Sequence, residues 1–217
     1  MQVPQGQDRG RAIGYSLRGD QITSKRVAFL DRDGVINELV FFKESGVIDS
    51  PFTPDLFKLK KNAAEGIRLL NEAGIKAIVT SNQPGMAKGK MDMATHKAIS
   101  EKMRSELSKG GARLDGEHYC FHHPDAVVEA YRVICDCRKP KPGMILKAAK
   151  ELGADLKNSW IVGDSISDIE AGKRAGCRTI LIGDMKCELC RHMNARGVEP
   201  DAIAADLVEA ARTIIGM

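Results

Sequence analysis

At 217 residues, 43% hydrophobic and 29% charged, the chain is long enough to bury one core, short for two full domains, and far from disordered or fibrous composition. Its 33 Lys and Arg against 29 Asp and Glu leave a net charge of +4, and aromatics make up only 5%, so a nucleic-acid groove lacks both its basic stripe and its stacking platform. No run approaches the ~20 apolar residues of a membrane span; a cytoplasmic monomer acting on a small anionic molecule is expected, with no nucleic-acid or membrane partner.

Residues 1–25 contain Gly6, Gly10, Gly14 and Gly19 without helical or strand periodicity, and read as a loosely ordered extension ahead of one domain over 26–217. Val27-Ala28-Phe29-Leu30 predicts a short buried strand that delivers Asp31 at its C-terminal end. Over 59–73, Ala63, Ile67 and Leu70 recur at helical spacing and Gly74 supplies a stop. A strand is predicted at 75–79, a helix at 93–107, and a strand at 118–121 that enters a Cys- and His-bearing loop over 120–137. Helices at 144–152 and 166–175 then alternate with strands at 160–162 and 179–182. The alternation predicts an α/β fold: a Rossmann-like parallel sheet with helices on both faces, its ligand site at the carboxyl ends of the strands. No insertion is long enough for a large cap domain.

Four polar motifs fall at predicted strand ends. Asp31-Arg32-Asp33-Gly34-Val35 follows the first strand. Acids two apart point to opposite faces of a strand, so the chain must be turning for both to serve one site, and Gly34 permits the turn. A calcium hand fails here because Val35 and Ile36 occupy positions that need a ligand and a glycine. Ser81-Asn82-Gln83 follows the second strand and offers a hydroxyl and amides to a phosphate oxygen. Arg138-Lys139-Pro140-Lys141-Pro142-Gly143 precedes a helix and offers a forked donor and a point charge. Gly163-Asp164-Ser165, continuing to Asp168, ends another strand and adds the carboxylate a Mg²⁺ site needs. Singly, each has a plain structural explanation as a turn, a cap or a solvated basic loop.

Together the four motifs, in this order, resemble the haloacid dehalogenase superfamily of phosphohydrolases over roughly 26–182. The resemblance implies Asp31 as nucleophile, Asp33 as general acid and base, and Ser81 and Lys139 as stabilisers of the transferring phosphoryl group. It also implies Mg²⁺ held by Asp31, Asp164 and the backbone carbonyl of Asp33.

Cys120-Phe121-His122-His123 and, twelve positions after His123, Cys135-Asp136-Cys137 offer a Cys₃His set suited to a closed, structural Zn²⁺ site. This stretch is similar to that of the D-glycero-D-manno-heptose-1,7-bisphosphate 7-phosphatases, with histidinol-phosphate phosphatases as near relatives that tend to a shorter loop. That likeness gives Cys120, His122, Cys135 and Cys137 as zinc ligands, His122 being taken over His123 because it keeps the Cys-x-His spacing and adjacent ligands do not readily share one small sphere. It further implies that Arg138 binds the phosphate that is not cleaved and that Asn82 helps hold a sugar bisphosphate. Two positions depart from the pattern: Ser165 stands where the heptose enzymes carry lysine, and 38–57 lacks their His-Gly-Tyr.

The competing class, a zinc-containing nucleic-acid-binding module, conflicts with Asp31, Asp33 and Asp164 at the mouth, where they repel phosphates unless Mg²⁺ is present. Cys187-Glu188-Leu189-Cys190 with His192 is half of a metal motif without a second half, and reads as incidental thiols. Cys177 reads as a small core residue.

Overall fold

The computed structural model describes residues 25–183, 193 and 195–216; the extension up to residue 24 and the Cys187, Cys190 and His192 group lie outside the described residues. β1 (Val27–Leu30) is buried on both faces, as its unbroken apolar run requires. Ala28 and Leu30 join one core with Ile67, Leu70, Ile99, Met103 and Ile214, while Val27 and Phe29 join another with Ile145, Ala148, Ile161 and Ala171. The period of two along the strand thus feeds two layers of helices.

In chain order, β2 (Val40–Phe42) and β3 (Val47–Asp49) form an antiparallel hairpin; β4 (Lys76–Asn82), β5 (Gly116–Cys120), β6 (Trp160–Gly163), β7 (Arg178–Ile182) and β8 (Ala202–Ala204) follow. The helices are α1 (Ala63–Glu72), α2 (Met93–Lys109), α3 (Gly143–Leu152), α4 (Ile166–Ala175) and α5 (Leu207–Ile215). Six strands make one sheet in the order β5-β4-β1-β6-β7-β8, every pairing parallel. α1, α2 and α5 supply the first core and α3 and α4 the second, so the expected parallel sheet with helices on both faces is present. The chain winds outward from β1 through β4 to β5, then returns to β1's other side at β6. That reversal between β1 and β6 opens the crevice where such sheets bind ligands.

Three sequence expectations are corrected. α1 begins at Ala63 rather than at 59, because Lys60 N–H donates to Ile36 O at 2.8 Å and Asn62 takes a left-handed φ of 67°; tertiary hydrogen bonds override the apolar spacing. β4 runs on through Asn82, so Ser81 and Asn82 are its last residues rather than a turn after it. The hairpin, β8 and α5 are additions. Among the described residues the stretch between β1 and α1 holds only the hairpin and a short 3₁₀ turn, with no cap domain, and no helix is long and apolar enough to cross a membrane.

Candidate active site

Asp31 leaves β1 with its N–H still bonded to Val162 O of β6 at 2.9 Å. The chain then closes a tight turn in which Ile36 and Asn37 donate back to Arg32 O. Gly34 sits at φ +80°, and a Cβ there would lie 1.9 Å from Asp164 Oδ2, so the turn needs glycine both for its backbone and for the carboxylate packed against it.

One carboxylate oxygen each from Asp31, Asp164 and Asp168 falls within 4.8 Å of the others. Burial, then the carboxylate of Asp31, raises Asp164 to about 7. Burial likewise raises Asp31 to about 6, against the opposing charge of Lys139. Three crowded acids are the donor set of a hard divalent cation. They are not equivalent, however. Asp168 Oδ2 accepts from Ser165 N–H at 3.2 Å and Ser165 Oγ at 2.6 Å, and its other oxygen pairs with Lys139. Ser165, not Asp164, caps α4; Asp31 and Asp164 are left as the pair able to hold a cation.

Lys139 is buried, and its Nζ donates to Thr80 O at 2.8 Å while pairing with Asp31 at 3.1 Å and with Asp168. Burial disfavours its charge, but Asp168 and Asp31 outweigh that and raise its pKa above the usual lysine value. Asn82 fixes this loop to the end of β4: its Oδ1 accepts from Lys139 N–H and its Nδ2 donates to Lys139 O, both at 3.0 Å. Asn82, expected to contact substrate, has both polar atoms of its side chain bonded to the lysine's backbone. Ser81 accepts from Gln83 Nε2 at 3.1 Å and lies close enough to Asp31 to favour its ionised form, against burial.

Asp33 sits in a cradle the sequence reading missed. Arg32 donates through Nε and Nη2 at 3.0–3.1 Å, Asn37 Nδ2 at 2.9 Å, Ser50 Oγ at 2.8 Å and Gln83 Nε2 at 2.5 Å. Gln83 Oε1 in turn accepts from Arg32 Nη2 at 2.7 Å. Burial pushes the carboxyl up, but Arg32 and these donors outweigh it and hold Asp33 below the usual carboxylate value. Arg32 and Gln83 were legible only as chemistry-bearing neighbours inside two motifs; Asn37 and Ser50 carry no motif.

The sulfurs of Cys120, Cys135 and Cys137 lie 3.2–3.6 Å apart, and His122 Nδ1 lies 3.5 and 3.9 Å from Cys137 and Cys120. Tetrahedral bonds of ~2.3 Å to sulfur imply edges of roughly 3.8 Å, so the four donors need contract or expand little to share one ion. Burial works against the Cys135 thiolate, but bonds from Cys137, the Arg138 N–H, Cys120 and His122 bring it down to about 7. His123 instead accepts from Asp125 N–H within its own turn. Arg138 donates to His122 O at 3.2 Å and lines, with Lys141, Arg174, Val133 and Ile134, a cleft of about 420 Å³ beside Lys139.

A parallel sheet whose β1 and β6 ends present paired acids, with a buried lysine between them and a hydroxyl from β4, defines a haloacid dehalogenase-like hydrolase. The family described as HAD-hydrolase-like matches residues 136–210. D-glycero-beta-D-manno-heptose-1,7-bisphosphate 7-phosphatase of Rhodopseudomonas palustris is 42% identical over 149 residues, covering 69% of this chain and 78% of that protein; its Escherichia coli K12 counterpart is 37% identical over 153 residues, covering 70% and 75%. The crystal structure of D,D-heptose 1,7-bisphosphate phosphatase from B. bronchiseptica, complexed with magnesium and phosphate, superposes with a TM-score of 0.71 at 31% identity over 88% of this chain and 98% of that one. The chain belongs to the heptose-bisphosphate phosphatase family of haloacid dehalogenase-like hydrolases.

Proposed function

We propose that the protein removes the 7-phosphate of D-glycero-D-manno-heptose 1,7-bisphosphate through a phospho-aspartate on Asp31. The observation that carries this reading is the convergence of Asp31, Asp164 and Lys139 at the β1–β6 crevice, beside a cleft bordered by Arg138 that is large enough for the rest of a phosphorylated sugar. The Asp31 carboxylate attacks phosphorus, dividing hydrolysis into phosphoryl transfer and cleavage of an acyl phosphate. Lys139 and Ser81 stabilise the equatorial phosphoryl oxygens, the kind of electrostatic term that dominates phosphoryl transfer. A bound Mg²⁺, held by Asp31, Asp164 and the Asp33 carbonyl, supplies the charge that lets a phosphate dianion approach a carboxylate.

Asp33 is the acid for the leaving sugar oxygen and then the base for water. Its cradle keeps it ionised, which suits the second half-reaction; in the first, the carboxyl must leave Arg32, take a proton and meet the ester oxygen. The Cys120, His122, Cys135 and Cys137 group holds Zn²⁺, and Arg138, adjacent to Cys137, binds the phosphate that stays. Asn82 serves the substrate chiefly by fixing Lys139.

Phosphate release across sugar bisphosphates, monophosphates and histidinol phosphate tests the reading. The heptose bisphosphate is expected to lead, Asp31→Asn to abolish release with the fold intact, and EDTA to do the same. Arg138→Ala is expected to lower kcat/KM for the bisphosphate by about 1.5–3 kcal/mol, the scale of a charged hydrogen bond, and to spare monophosphates. Normal turnover by Asp31→Asn rejects the mechanism; equal losses on both substrate kinds reject the Arg138 clamp.

A further inference from the structure

His96 lies on the buried face of α2 with Ile99, Ser100, Met103 and Leu107, where a histidine ordinarily does no more than pack. It is 4% exposed, and its ring stands edge-on to Tyr119 and Phe121 with centroids 4.5 and 4.9 Å away. Its Nε2 is buried and has no hydrogen-bond partner among the described residues. Arg32, 0% exposed, presents the complementary deficit: Nε and Nη2 are taken by Asp33 and Gln83, while Nη1 is buried and unpartnered. The two side chains meet around Gln83: Arg32 Nη2 donates to Gln83 Oε1 at 2.7 Å, Gln83 N–H donates to Cys120 O at 2.7 Å, and Cys120 is flanked by the two rings that His96 faces. Burial first, and the Arg32 charge second, lower the imidazole to about 4, so that it is neutral at physiological pH and able to accept. An unbonded guanidinium N–H and an unbonded imidazole nitrogen each carry a desolvation penalty. One can only donate and the other can accept, and a single buried water is enough to span a gap between them.

We propose that His96 is a positioning residue for the reaction: one buried water accepts from Arg32 Nη1 and donates to His96 Nε2, and so holds the guanidinium against Asp33. The proposal rests on the reading above that Asp33 moves the proton. Without His96, Arg32 keeps its charge but loses its backing, and the Asp33 carboxylate is less firmly held, ionised and in place, for its work as the base on water in the second half-reaction.

Three substitutions and one spectrum decide it. His96→Phe keeps the aromatic packing and deletes the acceptor; kcat is expected to fall about tenfold, the size of one charged hydrogen bond, with KM and melting temperature near wild type. His96→Gln, whose amide reaches the Nε2 position, is expected to recover most of kcat, and His96→Asn, one carbon shorter, is not. In the wild-type protein with Mg²⁺, ¹⁵N NMR should report the Nδ1–H tautomer with a bare Nε2. A proton on Nε2 at neutral pH, or wild-type kcat in His96→Phe, overturns the proposal. Equal losses in all three variants that track melting temperature also overturn it, since they mark packing alone. If wild-type protein turns over no phosphomonoester, the phosphatase reading fails instead, and the tautomer still decides the pairing of His96 with Arg32.

Discussion

At φ +80°, Gly34 occupies backbone space that a side chain enters at a cost of about 1–2 kcal/mol, and the atom it lacks would overlap a carboxylate of the site. A Cβ would fall 1.9 Å from Asp164 Oδ2 and 2.6 Å from its Cγ. Because those atoms are the end of a side chain rather than backbone, the fold can yield where the chemistry cannot. Gly34→Ala should therefore fold, with a modest loss of stability, while displacing Asp164 from the place it shares with Asp31. An ångström at a catalytic centre is worth on the order of 10²-fold, so kcat/KM is expected to drop about 100-fold and to recover partly at high Mg²⁺. Steady-state kinetics across a Mg²⁺ titration measure this; wild-type kcat/KM at limiting Mg²⁺ would show that Asp164 does not need the space Gly34 leaves.

Among the elements, those buried on both faces were the most legible. β1, β4, β6 and β7 show as apolar runs because a parallel sheet covered by helices asks nothing else of them. The three-residue strands β2, β3 and β8 are too short to display a period, and α1 was drawn early because Leu59 fits the helical spacing while bridging to Asn37 instead. The same division holds in the site. Asp31, Ser81 and Asp164 could be found because each ends or follows a readable strand, and Lys139 because its motif leads into a readable helix. The donors around Asp33 come from the turn, the hairpin side and β4, and only folding brings Asn37, Ser50 and Gln83 together.

The metal loop was legible through its cysteines, since beyond one 3₁₀ turn at Glu129–Tyr131 the stretch between β5 and α3 has little regular structure to bear a pattern. A loop so poor in backbone ladders leans on its ligands. Cys135→Ser should take zinc from about one ion per chain to nearly none and lower the melting temperature, by about 2–4 °C for each kcal/mol lost. Lys139 is held independently by Asn82 and Asp168, so bisphosphate KM should rise more than monophosphate kcat falls. Metal analysis with an unchanged zinc content and melting temperature would remove the cluster from the structural account.

On the scale of the whole molecule, the crevice between β1 and β6 gathers acids that the fold alone does not favour. In the protein without a divalent cation, Asp164 takes up a proton at about pH 7 and Asp31 at about pH 6, whereas both would do so near 3.8 in an unfolded chain. The folded state therefore binds more protons across this range, and protonation stabilises it. That contribution is complete below the unfolded value and is lost as pH rises through the two folded values. His96 works the other way. Its folded value of about 4 lies under the ordinary 6.5, so its contribution is present above 6.5 and fades as pH falls below it. Asp33, held low, changes only at more acid pH. Between about pH 8 and pH 6.5 the paired acids titrate against a background from His96, His118 and the Cys135 thiol, all held low and all losing stability on acidification. Metal-free protein should therefore gain about 1 kcal/mol relative to Asp164→Asn on acidification across this window, or about 2–4 °C in melting temperature. Saturating Mg²⁺ should reverse the slope, because the cation competes with protons for the same oxygens and stabilises most at pH 8. Asp164→Asn, which removes the higher of the two titrations, supplies that background as the reference curve. Thermal melts with and without EDTA read all three, and a metal-free melting temperature that gains nothing over Asp164→Asn from pH 8 to pH 6.5 would mean that the acids are not crowded as the geometry requires.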